Sequence, residues 1–504
     1  MTFRTHHILF RTILAVAGLF SLVPSGYAHS GKARFHAIID TDGAADDLRT
    51  LCMLLGNREV EVLAVTTSEG ALSPGESAAY VRALLDGFFH EGVPVGAGRP
   101  TGAAAPVWRA HSRQVNWGDT LSSPAGFPPA QRLIAETLGG EEEKVFFIAL
   151  GALTNVYDML RENPALGERI DRIVWYNSQA EPLAGANYEA DSLAARTVLA
   201  SGIPVTVVSV NPACPLVVTP ELLDSIAAVP TVYARKIADT HRTAPLAKLV
   251  DAGHLQAWDD LVAVNLFAPE LFDTREISGS VASCSLPDKA SAIRAQAEII
   301  AILRGKPDTE SRVFYGFPIQ HELYATDVVP IIDSAISRHG LSEWRAGVLT
   351  NELHGHLGIY ATIGVKMGIR AREYFNIGVD DIEVTTYAGH NPPISCMNDG
   401  LQVGTGASVG HGLITVAESG PPRPEARFCF KDKTLQLALK PEYARRIRDD
   451  VRKGIELYGD LTEPYWQYVR ALALQYWLDF DRHEIFELST SPNSMPEIET
   501  MSYK

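Results

Sequence analysis

Cysteine is scarce in this chain, and the little there is forms no pattern. Five residues, Cys52, Cys214, Cys284, Cys396 and Cys429, are scattered over 504 positions in odd number, which argues against a fold stapled by a disulfide framework. Positive charge is also short. Lys and Arg total 44 against 60 Asp and Glu, a net charge of −16, which argues against nucleic-acid backbones or anionic membrane surfaces as partners. A small uncharged ligand meets no such repulsion. Past the first 30 residues or so, no apolar run is long enough to span a bilayer, so no stable membrane anchor is expected. What is there is a globular composition, 46% hydrophobic and 21% charged, able to fill the cores of the two or three domains that this length predicts. Assembly into a homo-oligomer stays open.

The start of the chain reads as a targeting segment. Arg4 and Arg11 flank the way into an apolar run at residues 13–23, and Gly26-Tyr27-Ala28 offers small residues for cleavage. Residues 1–28 are therefore expected to be a signal peptide, and the protein to be exported, periplasmic or secreted. No Cys follows the apolar run, so lipid attachment is not expected.

The chain is organised around residues 35–48. The apolar Ala37-Ile38-Ile39 reads as a buried strand, and four carboxylates, Asp40, Asp42, Asp46 and Asp47, follow within one turn. The next residues have helical spacing up to Gly56. In such strand–turn–helix units ligands bind at the carboxyl ends of strands. Acids this close raise one another's pKa unless a cation neutralises them, and oxygen-only donors suit a hard ion such as Ca²⁺ or Mg²⁺. The plainer alternative is a solvated acidic loop with an Asp helix cap. Further strands at residues 61–67, 93–98 and 145–150 alternate with helical patterns, which predicts a parallel sheet.

Asp40-Thr41-Asp42-Gly43-Ala44-Ala45-Asp46-Asp47 resembles the Asp-x-Asp-Pro-Gly-x-Asp-Asp signature of the inosine–uridine-preferring nucleoside hydrolases, with Gly-Ala at the central Pro-Gly. Leu150-Gly151-Ala152-Leu153-Thr154-Asn155 is similar to that family's Gly-Pro-Leu-Thr-Asn. Residues 185–195 are similar to its Glu-Phe-Asn-x-x-x-Asp segment, and Trp258-Asp259-Asp260-Leu261 to its His-Asp-Pro-Leu. The resemblance implies a Ca²⁺ held by Asp40, Asp42, Asp47, Asp259 and the Thr154 carbonyl, with Asp42 as general base. It implies sugar contacts from Asp46 and Asn187. Two other sugar contacts are missing, since Ala71 and Gly185 stand where the family has Asn and Glu. Trp258 replaces a His and, with Trp117 as a second face, is expected to stack on a purine-type leaving base. The first four residues of the motif also resemble a haloacid-dehalogenase phosphatase, and the missing sugar contacts leave a non-catalytic binder of a ribosylated ligand as another rival.

A second centre follows. Leu353-His354-Gly355-His356-Leu357-Gly358, His390, and Cys396-Met397-Asn398-Asp399-Gly400-Leu401-Gln402 resemble the E-type component of the formylmethanofuran dehydrogenase family. That resemblance implies a zinc-type ion at His354, His356 and Cys396, with His390 as a fourth ligand. Gly355 and Gly358 favour an extended or loop form there, with both rings on one face. The expected organisation is a signal peptide at 1–28, a doubly wound, mostly parallel α/β nucleoside hydrolase-like domain at 29–340, a smaller α+β domain at 341–488 and a disordered tail at 489–504.

Overall fold

Seven consecutive residues at 35–41 are all buried, which a strand satisfies only inside a sheet covered on both faces. In the computed structural model, which describes residues 33–118, 121–305, 313–314, 316–379, 382–418 and 420–490, they form β1 (Phe35–Thr41). β2 (Val60–Thr67), β3 (Val95–Ala97), β4 (Val145–Ala149), β5 (Ile170–Tyr176), β6 (Val205–Val208), β7 (Asp273–Ser278) and β8 (Val281–Ser285) follow. Their order in the sheet is β3-β2-β1-β4-β5-β6-β8-β7, parallel except for β7 against β8. Strand order reverses between β1 and β4, so the carboxyl end of β1 is a topological switch point, where open α/β sheets leave a crevice. One core, with Leu51, Val65 and Val262, covers one face, and another, with Ile38, Phe147 and Trp175, covers the other. The doubly wound α/β expectation matches this architecture.

A smaller mixed sheet follows, built from β9 (Glu383–Thr386), β10 (Ile414–Val416), β11 (Glu425–Phe430), β12 (Lys433–Leu439) and β13 (Phe486–Thr490) in the order β10-β9-β11-β12-β13. Helices Leu341–His354, Ile359–Phe375, Met397–Thr405 and Glu463–Asp479 accompany it. A Cβ on Gly400 would lie 2.0 Å from the Ala361 carbonyl oxygen, so two of these helices touch backbone to backbone.

Two expected boundaries move. The helix Ile332–His339 was expected to close the first domain, but Val328, Ile332 and Ala335 pack into the second core beside Trp344 and Trp477. Its amphipathic pattern shows that one face is buried, not against which core. Ser489 and Thr490, assigned to a disordered tail, instead pair with Gln436 and Leu435 as the end of β13. Ladder bonds come from backbone, so a Ser/Thr-rich composition does not exclude them. The expected signal peptide and the rest of the tail lie outside the described residues.

The two sheets belong to one compact unit. Asn376, in the left-handed conformation, donates from Nδ2 to the Leu55 carbonyl at 3.3 Å and accepts from Arg58 at 3.1 Å. Arg370 pairs with Glu91, and the Gly92 amide donates to the Tyr374 carbonyl. Lys431 bridges Glu61 and Glu141 beside His36, so its ammonium supplies the charge that this His-Glu-Glu group would otherwise take from a metal. His90 is enclosed, with Nδ1 2.6 Å from the Glu373 carbonyl and Nε2 2.7 Å from the Tyr233 hydroxyl.

Burial pushes the His90 imidazole down to about 4, against 6.5 for a free ring. The unfolded chain therefore binds the extra proton first as pH falls. The His90 contribution is complete above about pH 6.5 and is lost as pH drops through 4, worth at most about 3 kcal/mol by linkage. Thermal midpoints measured from pH 4 to 7 should fall less steeply with acid in His90→Gln than in the wild type.

Candidate active site

The acids gather where β1 ends. Asp40 is fully buried, and its Oδ2 accepts from the Thr66 hydroxyl and from Asn155 Nδ2, each at 2.6 Å. The chain then turns through Gly43, whose φ of +83° is the left-handed region, so the Gly-Ala pair supplies the tight turn. Asp46 and Asp47 open the helix Ala45–Leu55. Asp47 Oδ2 accepts from the Thr41 hydroxyl at 2.7 Å and the Asp42 amide at 2.8 Å, folding the helix start back onto the strand end. Asp259 stands at the N-cap position of the helix Asp260–Phe267 without a side-chain cap bond, and one carboxylate oxygen from each of Asp46, Asp47 and Asp259 lies within 4.8 Å of the others. The adjacent Asp260 is already neutralised, held by Arg49 Nε at 2.8 Å and Nη2 at 2.5 Å.

Burial raises all five acids. Asp40 is pushed up to about 6 and Asp42 to about 7, the latter with help from Asp46. Asp46 is raised, and Asp47 and Asp259 lie well above the carboxylate range through burial and mutual repulsion. Asp40 Oδ1 and Asp259 Oδ1 are buried without a hydrogen-bond partner. A hard cation would take both orphaned oxygens and relieve the repulsion, so this donor set fits a Ca²⁺-type ion.

The other expected residues divide. Thr154 is buried in the first turn of the helix Thr154–Glu162, and its hydroxyl donates to Asp191 at 3.1 Å; the cap position belongs to Leu153. Asn187 is buried beside the strand ends, its Nδ2 spent on the Leu150 and Tyr176 carbonyls at 2.6 and 3.1 Å. Trp258 is 44% exposed next to Asp259 and is free to stack. Trp117 is placed otherwise than expected. It is 1% exposed, in the core, with its ring edge on His241, so it offers no second face to a base. Gly185 has φ +132°, and a Cβ there would lie 2.1 Å from Ser178 Oγ, so the position of the missing Glu is sterically closed.

Three neighbours of the acids were not singled out from sequence. Thr66 and Asn155 orient Asp40, and the buried Tyr176 phenol is held protonated by burial and by the charge of Asp259. Only their places at strand and helix ends mark them, and that signal is weak until the sheet order is known.

At the second centre the backbone up to His354 differs from the extended or loop form that Gly355 and Gly358 favour. The Leu341–His354 helix runs through His354, and Gly355 in the left-handed conformation turns the chain so that the His354 and His356 rings sit 4.3 Å apart. His354 Nδ1 bonds Asp399 at 2.7 Å. Among the described residues, His354, His356, His390 and Cys396 do not supply three donor atoms within 4.8 Å of one another.

Residues 37–309, more than half of the chain, match the family model for inosine-uridine preferring nucleoside hydrolase. The chain belongs to that family. Its relatives include a pyrimidine-specific ribonucleoside hydrolase RihA of Shewanella oneidensis, 28% identical over 261 residues, covering 47% of this chain and 80% of that one. A protein of the same name from Klebsiella pneumoniae is 32% identical over 189 residues, covering 34% of this chain and 60% of its own length. A solved plant nucleoside hydrolase aligns over 53% of this chain and 99% of its own, with 19% identity and a TM-score of 0.44. Residues 353–487 match the model named FmdE, molybdenum formylmethanofuran dehydrogenase operon. Family membership makes the chain an N-glycosyl hydrolase acting on ribonucleosides. No described helix is long and apolar enough to cross a membrane.

A Cβ on Gly70 would lie 1.9 Å from Asp42 Oδ2, so this glycine admits the carboxylate to its place. Gly70→Ala should displace Asp42 and lower kcat by about 10²-fold, the scale of a 1 Å misplacement. Turnover and circular dichroism together should show lost rate with the fold retained.

Proposed function

We propose that the chain hydrolyses ribonucleosides with Ca²⁺ held by Asp40, Asp42, Asp47 and Asp259, with the Thr154 carbonyl as a further donor. The convergence of buried, like-charged carboxylates with two orphaned oxygens at the switch point carries this reading. When bound, the ion supplies positive charge that lets the neighbouring acids ionise and that polarises a water molecule. Asp42 would be the general base, taking a proton from the attacking water. The oxygen forms its bond to the anomeric carbon as the carbon–nitrogen bond breaks through an oxocarbenium-like state, and the bonding pair leaves with the base. Asp46 is assigned to the sugar hydroxyls, and Asn187 with it through its Oδ1, since its Nδ2 is spent on the Leu150 and Tyr176 carbonyls. Trp258, exposed beside Asp259, offers one broad face to the leaving base, which suits a purine over the smaller pyrimidine that names the Shewanella relative.

Asp42→Asn should lower kcat by about 10²–10⁴-fold, the range for a lost general base. Chelation should abolish turnover and Ca²⁺ should restore it, with inosine cleaved faster than uridine. Near-normal rates in Asp42→Asn would rule out this base, and faster uridine cleavage would reverse the preference.

We also propose export with removal of residues 1–28, supported by the basic start, the apolar run and the small residues before His29. Intact mass of the protein from its native cell should correspond to a chain beginning at His29. A mass that includes Met1 would refute it.

A further inference from the structure

Arg109 reaches the acid site from a segment that contributes none of its carboxylates. It opens the short helix Arg109–Ser112, beyond β3, and its side chain is only 13% exposed. One guanidinium nitrogen, Nη2, donates to the Glu69 carboxylate at 2.5 Å, to the Gly70 carbonyl at 2.6 Å and, more loosely, to the Leu72 carbonyl at 3.4 Å. Glu69 is buried, so the guanidinium supplies the positive charge that its carboxylate needs there. All three acceptors lie on the turn that follows β2.

That turn is one wall of the place Asp42 occupies. The Leu72 amide donates to the Asp42 carbonyl at 3.0 Å, and the Ala71 amide bonds the Asp42 carboxylate. Gly70 lies so close that a Cβ on it would meet Asp42 Oδ2. On its other side Asp42 Oδ1 accepts from the Ala44 amide at 3.1 Å. The Ala44 bond spans two residues and comes with the local turn. The contacts from residues 70–72 are tertiary, and they hold only while that turn is held. The segment carrying Arg109 is fixed independently. The Tyr80 hydroxyl donates to the Arg113 carbonyl at 2.7 Å, and Arg113 pairs with Glu76 at 2.8 Å. Truncating Arg109 should therefore loosen the turn without releasing the segment.

We propose that Arg109 is a positioning residue for hydrolysis, which holds residues 69–72 against Asp42 and so aims that carboxylate at the attacking water and the cation. This role rests on the reading of Asp42 as general base and Ca²⁺ ligand. The test is a double-mutant cycle on nucleoside turnover in the full-length protein, with wild type, Arg109→Ala, Asp42→Asn and the pair. Ca²⁺ affinity is measured by calorimetry and folding by circular dichroism. Arg109→Ala should lower kcat about tenfold or more, up to the 10²-fold scale of a 1 Å misplacement, with KM little changed. In the Asp42→Asn background the same truncation should cost less than about threefold, because coupled residues are not additive. Arg109→Lys should recover most of the lost rate, since an ammonium also offers three donors to the three acceptors. A destabilised fold alone would slow both backgrounds alike. Unchanged kcat in Arg109→Ala, or an equal cost in both backgrounds, overturns the role while leaving the hydrolase reading intact. Near-normal turnover in Asp42→Asn refutes the base reading instead. Arg109 is then judged by Ca²⁺ affinity, about tenfold weaker in Arg109→Ala if it orients a metal ligand and unchanged if it does not. If Arg109→Ala does not fold, Glu69→Gln, which keeps the volume and removes the charge, takes its place in the cycle with the same outcomes.

Discussion

Mutual repulsion among buried carboxylates at the end of β1 is the constraint that the first sheet is built to meet. Asp40, Asp42, Asp47 and Asp259 are almost fully out of water, where uncompensated negative charge is costly. The fold answers with local donors: Thr66 and Asn155 on Asp40, and Thr41 and the Asp42 amide on Asp47. These donors leave Asp40 Oδ1 and Asp259 Oδ1 unpartnered. Close approach also demands missing side chains, and Gly70 and Gly151 both crowd Asp42. A site organised this way is stable only with a cation or with protons in place, which links its charge state directly to its chemistry.

The same helix connects this site to the rest of the molecule. The helix Ala45–Leu55 begins with Asp46 and Asp47 and ends at the Leu55 carbonyl, which accepts from Asn376 of the second sheet's domain. Between them Arg49 neutralises Asp260 and touches His241, so the helix is tied at its start, middle and end. The appended domain is anchored by its own buried charges: Lys366 on Glu343, and Arg482 on both Glu343 and Glu373. Such pairs contribute less to net stability than to fixing one arrangement, because breaking either partner strands a buried charge.

Much of the first domain was legible from local pattern. The strand at 37–39, the acids after it and the alternation of strands with helices all follow from residue spacing, which strand and helix geometry read directly. The motif at 258–261 pointed to Asp259 through a family resemblance, and the structure adds the physical reason that Asp260 is spent on Arg49. The misplaced residues share one cause. Trp117 and the helix Ile332–His339 each carry an apolar character that spacing reveals, without the partner that would use it.

The sequence by itself determined that a strand delivers four carboxylates into one turn, and that a parallel α/β sheet precedes a smaller domain. Periodicity and charge spacing are properties of neighbouring residues. Only the tertiary structure decided which core received Val328 and Ile332, that Thr66 and Asn155 would hold Asp40, that Trp117 would be buried, and that His354 would pair with Asp399 rather than with Cys396. Each of those outcomes depends on groups from distant positions competing for the same buried space or donor, and local spacing does not encode that competition.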